Sequence, residues 1–515
     1  MPIWLRRARP GRRGAVVGAV ALAAVAAVAL LAPASALADA QDLALFTKKK
    51  LDPTVGINSI WVIVAGSLVM FMQAGFAFLE IGFSRAKNAG TVVAKILTNF
   101  SIAGICWWAI GFMFAFSGPL GSVIGHQGGA FFTHIGDPLK TFPVMATSNA
   151  TIESKEFFQF VFCAVSLAIV WGTTLERIKF GVYVIYSVVF ASLIYPIGSH
   201  WVFGGGFLQN GHWLGTSITG MQDFAGSTAV HLIGASGAFA ALLLLGPRKG
   251  KYGPDGKPRA IPGHSMPWFG LGVLILWLGW FGFNPGSTLN AVDGRFPEIL
   301  FITNLAAAAG VLAAVLTARW RTGKIDIGMA GNGAIAALVA ITAPSGYVEI
   351  WAAPIIGAVA GVIVVLGVYA IDRWLDDPVG ALSAHGLAGI WGTLSCGFFT
   401  SPRLAQYNAF GDPHGGLVYS GSFSQLAAQA IGFTIAFSFV FSASFATFWV
   451  IKKTIGLRVT EEEEDAGLDI SEHGMYGYPE QFIPAPELIG VASARPPEPR
   501  GAPALGAPTT QEAAT

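Results

Sequence analysis

The sequence predicts an all-α integral membrane protein of eleven transmembrane helices, built as two inverted five-helix repeats plus one peripheral helix. Three observations carry this. Hydrophobic residues make up 53% of the 515 residues and charged residues only 12%, about half the roughly 25% found in soluble domains. The apolar residues come in runs of about twenty, the length that crosses a hydrocarbon core of roughly 30 Å. Many of the 65 glycines fall inside those runs, where a missing side chain lets helix backbones approach closely. The net charge is only +2, and no basic patch is concentrated enough to suggest a nucleic-acid partner.

The chain opens with a basic cluster of Arg6, Arg7, Arg9, Arg12 and Arg13, then the apolar stretch from Ala15 to Leu31, then Ala36-Leu37-Ala38. Basic leader, apolar run and small-residue cleavage site together read as a secretory signal peptide over residues 1–38, with an uncleaved N-terminal helix as the alternative. Residues 39–56 are then an external N-terminal segment. Across the membrane domain, 57–451, the spans fall near 57–82, 89–116, 157–175, 181–203, 224–246, 267–287, 299–318, 327–344, 350–371, 381–400 and 424–451. An odd number of spans puts the mature termini on opposite sides.

Lysine and arginine set the orientation. With the N-terminus outside, the cytoplasmic loops hold Arg85, Lys87, Arg177, Lys179, Arg319, Arg321, Lys324 and Arg373. They also hold the cluster from Arg248 to Arg259, and Lys452, Lys453 and Arg458 follow the last span. The external loops hold only Lys140, Lys155, Arg295 and Arg403, with Lys48 to Lys50 ahead of the first span. The bias places the C-terminus in the cytoplasm, in the cell (inner or plasma) membrane. Residues 452–478 form a polar, partly acidic cytoplasmic tail, and 479–515 a Pro/Ala-rich disordered end. No segment is long enough for a separate soluble domain.

Ionisable residues within spans are scarce, and a charge at the bilayer centre costs roughly 2.5–3.5 kcal/mol on insertion scales. Of nine histidines, only His231 and His385 sit well inside apolar segments. His231 lies in DFAGSTAVH, opening the fifth span, and His385 in SAHGLAG, opening the tenth. These spans end two five-span halves, which an odd count inserts in opposite senses. Equivalent histidines would then meet near the midplane, where ring nitrogens alternate donor and acceptor and can pass a proton or bind a small polar solute. Unrelated core histidines bonded to backbone carbonyls remain the alternative. Asp223 stands where a helix begins, either as an N-cap or as an anion that favours a cation at an external mouth. Cys106, Cys163 and Cys396 show no paired spacing and read as small buried hydrophobes. Neither metal-ligand clusters nor a nucleophile–base pair is present, so no cofactor, metal or enzymatic activity is expected.

DFAGSTAVHLIG (223–234), GWFGFNPGS (279–287), DDPVGALSAHG (376–386) and GLRVTEEEEDAGLDISEHG (456–474) occur in order. The chain resembles the ammonium transporter (Amt/Mep/Rh) family, closest to its microbial Amt branch, from about Ile57 to Tyr478. The resemblance implies a homotrimer in lipid that transports ammonium or methylammonium. It also implies that ammonium is recruited outside and deprotonated, and that ammonia is conducted past twin histidines, with or without separate proton transfer. His231 and His385 match the pore pair. Phe162, with Phe158 one helical turn before it, and Phe283 match the stacked gate. Ser287 matches the hydroxyl of the external site. The family's external tryptophan is replaced: Phe203 holds its place and Trp201 stands nearby, and either ring could face the cation. The tail implies docking of a PII-type signal protein. A sensor signalling through the tail is the alternative of a different class. A carbon dioxide channel of Rh type is disfavoured by Amt-pattern motifs.

Overall fold

The computed structural model describes residues 52–133, 135–145, 148–211 and 219–482. The expected signal peptide and most of the Pro/Ala-rich end lie outside the described residues. The long helices follow in chain order as α1 (Pro53–Phe83), α2 (Ala86–Phe116), α3 (Ile152–Gly172), α4 (Phe180–Asn210), α5 (Ser227–Leu245), α6 (Met266–Gly286), α7 (Phe296–Thr322), α8 (Ile327–Thr342), α9 (Ala352–Ile371), α10 (382–399) and α11 (Ser424–Thr454). Among the described residues, nine of them are long and apolar enough to cross a membrane. The other two are α8, only 16 residues long and buried throughout its second half, and α10, divided between a π turn and an α-helix. The predicted count of eleven therefore depends on two helices enclosed by their neighbours, which need not be long to be stable there.

Local chemistry sets the helix starts. Asp52 accepts a hydrogen bond from the Thr54 amide at 3.0 Å ahead of Pro53, so α1 begins four residues before the apolar run at Ile57 suggested. Thr151, Ser265 and Asp326 cap α3, α6 and α8 in the same way. Glycine permits close contact between α1 and α6: a Cβ on Gly272 would stand 2.4 Å from the Leu79 nitrogen, and one on Gly82 2.5 Å from the Phe269 nitrogen. Such a seam packs backbone against backbone, the attraction available between helices in lipid. The outward face is apolar, with Leu97, Leu274, Leu312 and Leu316 all well exposed.

Buried charges tie the loops together at one end of the bundle. Glu176 accepts from the Arg85 backbone amide at 2.6 Å and from its Nε at 2.7 Å. Asp376 accepts from Arg248 Nε and Nη2, both at 2.9 Å, while Arg177 donates to the Asp376 carbonyl. The hydrogen bonds and charge of Arg248 hold the Asp376 carboxyl well below the usual range, against the opposing effect of burial.

The tail folds back onto this end as α12 (Glu461–Ala466) and α13 (Leu468–His473). Its acidic run divides by role. Glu461 and Asp465 are exposed, whereas Glu464 and Asp469 are 2% and 1% exposed. Glu464 accepts from the Lys249 amide at 2.7 Å and from Arg458 at 2.5 Å. Asp469 caps α2, accepting from the Gly90 and Thr91 amides at 2.9 and 2.7 Å. Lys87 donates to the carbonyls of Glu464 and Asp465.

Candidate functional site

At the end opposite the tail, a cavity of about 380 Å³ opens into the bundle, lined by Phe162, Phe203, Asn210, Asp223, Ser287 and Tyr347 among others. Its floor is aromatic. Phe162 of α3 and Phe283 of α6 lie face to face, 4.0 Å between ring centroids and 8° between planes. Phe158 stands beside Phe162 at 4.6 Å but is fully buried and does not line the cavity. It backs the Phe162 ring. Ser287 lines the cavity and donates to the Phe283 carbonyl at 2.9 Å, which leaves its oxygen lone pairs free to accept.

Beyond the ring pair come the histidines. His231 is 5.5 Å from Phe283 and 5.3 Å from His385, centroid to centroid. The two Nδ1 atoms share a hydrogen bond of 3.2 Å, so one ring donates and the other accepts. Nε2 of His231 is buried without a partner. Trp280 flanks it at 5.3 Å, fixed by Nε1 donating to Thr342 at 2.9 Å. Past His385 lies a second cavity of about 20 Å³, shared with Glu80 and Asn332. The path thus runs from the wide cavity through the ring pair and the histidine pair to a small inner pocket.

The alternatives for the external ring differ in geometry. Phe203 lines the cavity. Trp201 donates Nε1 to the Val123 carbonyl at 2.7 Å and packs on Phe207 and Phe439, away from the cavity lining. Asp223 is 7% exposed and acts as a cap. One oxygen accepts from the Gly226 and Ser227 amides at 2.7 and 3.0 Å, the other from Thr228 and Ala229 at 2.8 and 2.9 Å. Burial pushes its carboxyl up to about 6, opposed by these four amides.

A residue the sequence reading passed over repeats this device. Asp377 accepts from the Gly380 and Leu382 amides at 3.0 and 2.8 Å. Gly226 and Gly380 both take positive φ, 123° and 74°, the left-handed region that glycine enters without strain. Both histidines sit in a π turn, Ser227–Leu232 and Leu382–Leu387, a local irregularity common at functional sites. The signal was present: DFAGSTAVH and DPVGALSAH share Asp, Gly and His at the same offsets.

Among the described residues these features define an all-helical membrane protein in which a stacked pair of aromatic rings and a hydrogen-bonded histidine pair stand between two cavities. The sequence pattern of the Ammonium Transporter Family matches residues 60–478, and the chain belongs to that family. It is 43% identical over 445 residues to the ammonium transporter Amt2 of Archaeoglobus fulgidus, covering 85% of this chain and 92% of that protein. It is 35% identical to the ammonium transporter Amt1 of Haloferax mediterranei, covering 84% and 81%. Among solved structures, one named Sensor Amt Protein shares 33% identity with a TM-score of 0.73, covering 82% of this chain and 99% of that one. Candida albicans Mep2 shares 26% with a TM-score of 0.71, covering 81% and 90%.

Proposed function

We propose that the protein transports ammonium by stripping its proton in the wide cavity and passing ammonia between the histidines, with the proton following along the histidine pair. One observation carries the reading: a parallel Phe162–Phe283 stack directly precedes a hydrogen-bonded His231–His385 pair on a path between two cavities. Dehydrating a cation in so apolar a passage is prohibitive, whereas ammonia needs only a hydrogen-bond partner. Ammonium pulses on purified protein in liposomes on a solid-supported membrane test it. A saturable ammonium-evoked current supports proton passage, and its absence in liposomes that still admit ammonia would make transport electroneutral. Methylammonium fits the same site as a larger substrate. The relatives above named as transporters favour transport over the sensor reading.

The repeated Asp–Gly–His caps and the α1–α6 seam support eleven spans in two inverted halves, with α11 peripheral. The lysine and arginine distribution supports the wide cavity facing outside and the tail the cytoplasm. We take the trimer in lipid from the family.

At the external site, Phe203 is the ring that meets the cation, beside Ser287. Phe203→Trp is expected to strengthen cation–π attraction by up to about 1 kcal/mol, lowering the half-saturation concentration by up to about fivefold. An unchanged half-saturation in transport assays would show that this ring does not contact the cation.

The tail couples the loops and presents the exposed acidic residues to a PII-type signal protein. Deleting residues after Gly456 removes the clamps of Glu464 and Asp469 and is expected to reduce transport and abolish PII binding. Deletion after Pro479 keeps every clamp, including the Tyr478 hydroxyl 3.1 Å from His264, and is expected to do neither. Full transport with full PII binding in the longer deletion would refute the coupling role.

A further inference from the structure

Two buried charges take no part in the path described so far. Glu80 on α1 and Lys95 on α2 are each 1% exposed. Both Glu80 carboxylate oxygens and the Lys95 ammonium nitrogen lack a hydrogen-bond partner. Among the described residues, neither forms an ion pair within 4.0 Å. Lys95 instead lies over the Tyr183 ring, 5.8 Å from its centroid. Charges buried within a membrane bundle without full hydrogen bonding are costly and are retained where they act on protons or ions. By contrast, the neighbouring Glu176, Arg177, Arg248 and Asp376 are tied to one another and to the loop backbone.

Glu80 also faces the path. It lines the inner cavity together with His385, and its Oε1 stands 3.4 Å from where a Cβ on Gly172 would lie. That cavity, about 20 Å³, is just large enough for one water, given the roughly 10–15 Å³ a water requires. The Asn332 amide, held by its bond to the Val379 carbonyl at 3.2 Å, lines the same space. His385 and the unpartnered Glu80 carboxyl thus line one cavity, of a size that fits a single water between them. The charged groups that act on Lys95 from its surroundings are Glu80, Glu472 of the tail, Arg177 and Glu176.

We propose that Glu80 is the proton-carrying group at the inner end of the path, where ammonia regains its proton, with Lys95 as its fixed counter-charge. The proposal rests on proton passage along the histidine pair. A proton leaving His385 crosses the water to the Glu80 carboxylate and makes it a carboxylic acid. Ammonia arriving in the inner cavity takes that proton, leaves as ammonium and restores the carboxylate. One proton and one ammonia enter the step, and one ammonium leaves it.

The test pairs two measurements on full-length protein in liposomes. Ammonium-evoked current on a solid-supported membrane reads the proton, and stopped-flow fluorescence of an enclosed pH dye reads ammonia entry. Glu80→Gln is expected to lower the current at least tenfold while ammonia entry stays within about twofold, and Glu80→Asp to retain more current than Glu80→Gln. The double variant Glu80→Gln with Lys95→Met leaves no lone buried charge, and keeps the test open where Glu80→Gln alone does not fold. Its current is expected to stay low with ammonia entry kept. Wild-type current in Glu80→Gln, or its return in the double variant, would overturn the proposal, since Glu80 would then only balance Lys95. Ammonia entry without current in the wild-type protein would instead overturn proton passage itself, and this proposal with it.

Discussion

Alanine in place of His231 or His385 is expected to lower the ammonium-evoked current at least tenfold, equivalent to about 1.4 kcal/mol or more on the rate-limiting barrier. Each ring holds the other through a single 3.2 Å contact between Nδ1 atoms. Nε2 of His231 has no other partner, so losing His385 leaves His231 buried with no hydrogen bond, a penalty of about 1–3 kcal/mol. Loss of either ring also removes the chain of alternating donor and acceptor along which a proton moves. The vacated space beside the inner cavity is large enough to admit water, which would let a hydrated cation pass. Selectivity against potassium should therefore weaken in the same variants. His385→Glu is expected to retain more current than His385→Ala, because a carboxylic acid also accepts and returns a proton. The check is ammonium-evoked against potassium-evoked current in one preparation. Wild-type current and selectivity in both alanine variants would reduce the pair to core packing.

How much of this was readable beforehand follows from the kind of information involved. Helix positions came from apolar runs, since a membrane imposes length and hydropathy on every span; only the enclosed α8 and α10 escape that constraint. Where a motif fixed a position, the structure places the residues near one another: His231 against His385, Phe162 against Phe283, and Ser287 in the cavity that Phe162 lines. The choice between Phe203 and Trp201 was not readable. It depends on the break within α4, at the turn through Gly205 with φ 80°, and on which ring finds a carbonyl, here that of Val123. Phe158 illustrates the same limit. It stands beside Phe162, as the spacing implies, yet lies off the cavity that Phe162 lines. Glu80 and Lys95 were hidden because a single charge barely changes a twenty-residue apolar average. The tail was read as a polar, partly acidic cytoplasmic segment, without roles for its single residues; Glu464 and Asp469 are clamps that reach Lys249 and Gly90, more than 200 residues away along the chain.

The second large effect concerns Asp223. Its two oxygens accept four backbone amides at the start of the helix that carries His231. Asp223→Ala strands all four in a buried setting. Hydrogen bonds to a charged group contribute about 1.5–3 kcal/mol each and do not simply add, so the variant is expected to lose at least about 3 kcal/mol of stability. The π turn at Ser227–Leu232 then loses its anchor, and His231 loses its register against His385. Transport is expected to fall below detection, with earlier thermal unfolding in detergent. Asp223→Glu separates a capping role from a charge role. It keeps the negative charge at the cavity wall but moves the carboxylate one methylene out, beyond simultaneous reach of the four amides. If Asp223 works by capping, Glu fails nearly as badly as Ala, in both stability and current. If it works by attracting the cation, Glu retains transport with little change in half-saturation, and the cap is dispensable. The geometry favours the first outcome, because both oxygens are already committed to the backbone and the residue is only 7% exposed.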